Sequence, residues 1–116
     1  MKKANDFFGT SNGSENLFRY SFTHFVYTDG LQTMVRECQA YWLIDLIVSH
    51  QLHSNVSKEE FQVWDLKREN KNRFSIVCTD GNGNRITSQP IPFSDFPYDC
   101  ATLWMVNRCI MLPCEY

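Results

Sequence analysis

Asp45 sits in the run AYWLIDLIVSHQ, flanked by Leu43, Ile44, Leu46 and Ile47. A carboxylate there is either on the one wet stripe of a helix or buried with a partner, because burying it unpaired is prohibitive. Tyr41 and Ser49, four residues to either side, and Arg19 are its candidate partners. If buried and paired, it would be placed for acid–base work or for gripping a ligand, with His50 and Cys78 as companions in one pocket. His50 and His53 lie three apart, a spacing that suits two ligands of one metal. No CxxC pair accompanies them, so histidines placed favourably at a helix C-terminus are the simpler reading. A nucleophilic thiol needs a positioned base and an electropositive setting, which the sequence identifies for none of Cys38, Cys78, Cys100, Cys109 and Cys114. Packing thiols are the default. Asp80-Gly81-Asn82-Gly83-Asn84 begins like a calcium loop, but Arg85 stands where the loop needs Gly and Ile91 where it needs Glu. The residues thus give no catalytic set, metal site or cofactor motif.

Composition narrows the classes further. A chain of 116 residues with 43% hydrophobic and 15% aromatic residues suits one domain with its own core. Eleven basic residues against 13 acidic ones leave a net charge of −2, which disfavours direct nucleic-acid binding through a basic surface. The N-terminal residues lack an apolar stretch of the secretory kind. The longest apolar run, Tyr41 to Val48, is far short of the roughly 20 residues of a membrane span and contains Asp45. These features predict a cytoplasmic protein with reduced cysteines.

The elements that must position these residues follow from periodicity. Leu31, Met34, Val35, Cys38 and Trp42 recur at helical spacing, which predicts one long helix over Leu31–Leu52. Asp29 is its expected cap, with Gln32 reaching back to complete a capping box. Residues 1–16, rich in Asn, Ser, Gly and Lys, read as a loose arm, and residues 17–116 as a single domain. Leu17–Tyr27 reads as an extended segment. Strands are expected at Phe61–Lys67, Arg73–Thr79, Arg85–Ile91, Thr102–Val106 and Cys109–Pro113. A hairpin tip falls at Asp80–Asn84 and a two-residue turn at Asn107-Arg108. The expected fold is α+β: an antiparallel meander sheet of about five strands with one long helix packed across one face.

The last hairpin is apolar on both sides. Alternation places Trp104, Val106, Ile110 and Leu112 on one face, which Trp64 and Leu66 would extend from a neighbouring strand. Phe18, Tyr20 and Phe22 are the expected cover for that face, with a second copy of the chain or a protein partner as the other occupants. The candidate binding residues are therefore Trp64, Trp104, Val106, Ile110, Leu112, Tyr20 and Asp45.

AYWLIDLIVSHQ, FQVWDLK at 61–67, CTDGNGN at 78–84, IPFSDFP at 91–97 and the final MLPCEY together resemble a family of small bacterial proteins often found on phages, plasmids and other mobile elements. The resemblance brings no catalytic residues. It implies a non-enzymatic interaction protein, and inhibitors of bacterial defence effectors, such as an RNA-guided nuclease in its ribonucleoprotein form, are one such group. The competing expectation is a small ligand-binding domain or enzyme with its pocket at Asp45 and His50.

Overall fold

The computed structural model describes residues 2–8, 17–20 and 24–116. Its strands are β1 (Leu17–Arg19), β2 (Val26–Thr28), β3 (Phe61–Asn70), β4 (Arg73–Thr79), β5 (Arg85–Ile91), β6 (Cys100–Val106) and β7 (Cys109–Met111). Its helices are α1 (Ala4–Phe8), α2 (Asp29–Glu37), α3 (Tyr41–His50) and α4 (Ser54–Ser57), with a 3-10 turn at Pro113–Glu115. The seven strands form one sheet in the order β1-β2-β7-β6-β3-β4-β5. This corrects the expected five-stranded antiparallel meander: the sheet is mixed, since β2 runs parallel to β7 with Val26 opposite Cys109.

Proline explains the order. Pro90 lies within β5 opposite Ser75, and a residue without an N–H belongs on an edge strand. β5 therefore ends the sheet, and β6 pairs with the free side of β3, Trp64 facing Leu103. From the expected extended segment, Leu17–Arg19 and Val26–Thr28 join the same sheet as β1 and β2 instead of lying over it.

The single long helix is also corrected. α2 ends in a Schellman motif: the Ala40 N–H donates to Val35 O at 2.7 Å and the Gln39 N–H to Arg36 O at 3.3 Å. Gln39 takes the left-handed conformation at φ 52° that glycine usually supplies. Two shorter helices follow from this bend. Gln32 Nε2 donates to the Tyr41 hydroxyl at 2.7 Å across it, so Gln32 is not part of a capping box. The cap of α2 is Thr28, whose Oγ1 accepts from the Leu31 N–H.

Residues 2–8 dock where composition predicts a loose arm. β7 is too short to pair with the start of β6, and Asn5 takes its place: Oδ1 accepts the Thr102 N–H at 2.7 Å and Nδ2 donates to Thr102 O at 2.9 Å. Ala4 is fully buried beside it. Residues 9–16 lie outside the described residues.

One face of the sheet makes the core. Trp64, Leu66, Phe74, Ile76, Cys78, Leu103 and Ile110 are buried together with Leu31, Met34, Leu43, Ile44 and Ile47 of α2 and α3, each large side chain contributing about 1.5–3 kcal/mol. The described residues cover the opposite face only in part. Phe61, Val63, Val77, Trp104 and Val106 are half-buried on it.

Candidate functional site

The half-covered face is built by register. Val63 lies opposite Trp104, and Phe61 opposite Val106, so these four side chains project together from β3 and β6. The Asn107-Arg108 turn has φ of 50° and 67°, the positive pair of a type I′ turn. It makes Val106 and Cys109 direct partners, and Met105 the partner of Ile110. Parity therefore inverts across the turn: Ile110 falls on the core face and is fully buried. Trp104 shares its face with Met111 instead, which corrects the expected grouping with Ile110. Leu112, just past β7, is fully buried as well, and so is Trp64, on the core face with Leu103.

What remains is an aromatic cluster. Phe61 meets Trp104 at 5.1 Å between ring centroids, and Tyr116 stands edge-on to Trp104 at 5.5 Å and to Phe61 at 6.0 Å. Such T-shaped arrangements match ring edge to ring face. Next to the cluster, Thr102 Oγ1 donates to Asp65 at 2.7 Å. A cleft of about 640 Å³ opens there, lined by Lys3, Asp65, Lys67, Thr102 and Trp104 among others.

The segment carrying Tyr116 is fastened by its neighbour. The Glu115 carboxylate accepts from Thr28 Oγ1 at 2.5 Å, from the Leu112 N–H at 3.1 Å and from the Gly30 N–H at 3.1 Å. A carboxylate at the start of α2 also complements the helix dipole. Gly30 leaves it room, since a Cβ there would lie 2.6–2.8 Å from the carboxylate atoms. Periodicity gives no hint of this contact between residues 85 apart.

Asp45 is on the wet stripe. It is exposed on α3 and accepts from the Tyr20 hydroxyl at 2.5 Å. That hydrogen bond, with smaller contributions from burial and from the Asp45 charge, raises the Tyr20 pKa. His50 is five residues on, roughly 140° around the helix at 3.6 residues per turn. Its Nε2 meets Gln89 Oε1 of β5 at 2.7 Å and its ring lies 5.4 Å from that of Trp64. The structure therefore does not join Asp45 and His50 in one pocket. Neither lines the second cleft, about 660 Å³ beside His24, Phe25, Lys58, Met105 and Arg108. Burial, helped by Glu59, Asp65 and Asp80, pushes the Cys78 thiol up to about 12, and burial with Glu37 pushes Cys38 to about 11. Thiols so held are poor nucleophiles at neutral pH.

Gln62 has no counterpart among the sequence-derived candidates. It is 1% exposed, and its amide pairs reciprocally with Gln51 at 2.9 Å in both directions. Nε2 also donates to Val56 O and Glu59 O, while Oε1 accepts from Trp64 Nε1 at 3.0 Å. The single network ties the end of α3, α4 and β3 together. Its only signal in the sequence is a polar residue at a core-facing strand position.

Among the described residues no group of three or more His, Cys, Asp and Glu is arranged to hold a metal ion, and no helix is long and apolar enough to cross a membrane. A family model matches residues 2–116. The chain belongs to the DUF6876 family. That family is one of unknown function, and no curated protein and no solved structure matches the chain. In this DUF6876 member the expected binding residues separate into three places. Trp104 and Val106 stand on the half-covered face, Tyr20 and Asp45 pair at the surface of α3, and Trp64, Ile110 and Leu112 are core. Phe22, expected as a cover, lies outside the described residues.

Proposed function

We propose that this DUF6876 protein is a small, cytosolic, non-enzymatic interaction module that docks a protein partner on the sheet face around Phe61, Val63, Val77, Trp104 and Val106. The observation that carries the reading is that face itself: aromatic and β-branched side chains left half in water on one side of a sheet whose other side is sealed. The high thiol pKa values and the separation of Asp45 from His50 support binding over catalysis. The resemblance to proteins of phages and plasmids supports a bacterial defence effector, such as an RNA-guided nuclease, as the partner.

Affinity capture from the native host tests this, using the wild-type chain beside Val63→Glu and Val77→Glu. These substitutions put a charge on the face without touching the core. The expected result is one stoichiometric protein or ribonucleoprotein held by the wild type and lost, by at least about tenfold in yield, from both variants. Capture of the same partner at undiminished yield by folded variants would place the interface elsewhere. A wild type that captures no stoichiometric partner would remove the proposal.

A further inference from the structure

We propose that residues 113–116 form a strap that regulates access to the Phe61–Trp104 face, with Glu115 as its latch. The inference rests on the reading of that face as a docking surface. The latch is made by donors from two separate parts of the chain: Thr28 Oγ1 and the Gly30 N–H at the start of α2, and the Leu112 N–H at the base of the strap itself. Its fit depends on Gly30, because a methyl group at that position would stand 2.6–2.8 Å from the carboxylate.

The Tyr116 end of the strap is lightly held. Tyr116 lies edge-on against Trp104 and Phe61 yet remains 74% exposed, so little of its apolar surface is withdrawn from water in holding it there. Leu112, at the other end, is fully buried and fixes the base of the strap. No residue of Pro113–Glu115 is buried, so opening the strap unpacks none of the core. While it is closed, the Tyr116 ring lies against both Trp104 and Phe61. A partner that needs Trp104 and Phe61 binds only the open fraction, and its apparent affinity falls by that fraction.

Two full-length variants test the latch by different routes. Glu115→Gln removes the charged acceptor, whereas Gly30→Ala keeps Glu115, fills its space and favours the helix by its higher propensity. The readout that needs no partner is the set of nuclear Overhauser contacts between the Tyr116 and Trp104 rings. We expect them in the wild type and expect both variants to lose them, with the β3 and β4 amide resonances unmoved. Ring contacts missing from the wild type, or kept at full intensity in both variants, would overturn the strap. For a partner captured by the wild type, both variants should bind about three- to tenfold more tightly, the gain expected if the strap is closed in about 70–90% of molecules. Equal or weaker binding also overturns the proposal. If the wild type captures nothing, the docking reading fails, and the ring contacts alone decide the strap.

Discussion

Replacing Gln62 with Leu removes a buried amide while keeping its volume nearly constant, so the loss is polar and not a cavity. Four groups lose a partner. Trp64 Nε1, on a fully buried indole, is left without its acceptor, whereas the Val56 carbonyl keeps the Glu59 N–H at 3.0 Å. That orphan costs about 1–3 kcal/mol. Gln51 keeps its bond to Ile47 O, and Gln51 and Glu59 are both partly exposed residues, so both add little. The leucine recovers part of the loss through apolar burial, which leaves an expected destabilisation of about 1–2 kcal/mol. Urea unfolding followed by tryptophan fluorescence and circular dichroism measures it, with the slope unchanged if the unfolded state is unaffected. Trp64→Phe removes the main orphan in advance, so Gln62→Leu should cost about 1–2 kcal/mol less in that background. A Gln62→Leu protein within about 0.5 kcal/mol of wild type would mean that the network contributes nothing, and the reasoning would be wrong.

Gln39→Gly tests the bend by the sign of its effect. At a left-handed C′ position glycine relieves strain and should stabilise by a few tenths of a kcal/mol up to about 1, whereas inside one continuous helix it would destabilise by about 1. Thermal or urea unfolding distinguishes the two. The buried thiols set an alkaline limit: Cys38 and Cys78 are raised to about 11 and about 12, so their stabilisation is complete below the unfolded thiol value near 9. It declines as pH rises from there through the folded values. Stability measured between about pH 9 and 12 should fall, and less steeply in Cys78→Ala, while Cys114, which is exposed, should react with a disulfide reagent in the native state and Cys38 and Cys78 only on unfolding. Asp45→Asn should change stability by no more than about 1 kcal/mol, because the pair is exposed. It should also bring the Tyr20 titration back toward the ordinary tyrosine value; an unmoved titration would dissociate Tyr20 from Asp45.

Which parts of this fold were legible follows from where the information lies. The strands from Phe61 onward, the Asp80–Asn84 hairpin and the Asn107-Arg108 turn were readable because alternation and turn chemistry are local. The Asp80 carboxylate accepts from the Asn82 and Asn84 N–H groups, as an Asx-type turn requires. The bend at Gln39 was hidden because nothing but a glycine announces a left-handed cap, and here a glutamine takes the conformation. Strand order was partly present in Pro90, which marks an edge, but the parallel pairing of β2 with β7 is a tertiary choice that no local pattern encodes. The candidate site failed at one point of arithmetic. Counting alternate residues straight through a two-residue turn put Ile110 beside Trp104, although such a turn sets residue i against i+3 and exchanges the faces. Asp45 takes the wet stripe, one of the two settings its apolar neighbours allow, and nothing local brings Tyr20 to it from 25 residues away.

The polar residues interleaved on the half-covered face bear on what kind of partner suits it. A surface meant for lipid would be apolar without interruption and flanked by lysines and arginines. Here Asp65 binds Thr102, and Glu69 accepts from Ser75 at 2.6 Å, so hydrogen-bonded pairs border the Phe61–Val63–Trp104 centre. An apolar middle with a polar rim is the anatomy of a protein interface. The rim charges are mixed, with Asp65, Lys67 and Glu69 along one strand, and mixed signs favour registration against a particular surface over general attraction to a polyanion. The Asp65–Thr102 pair interrupts the apolar centre, and the Tyr116 ring lies against its Phe61 and Trp104 members.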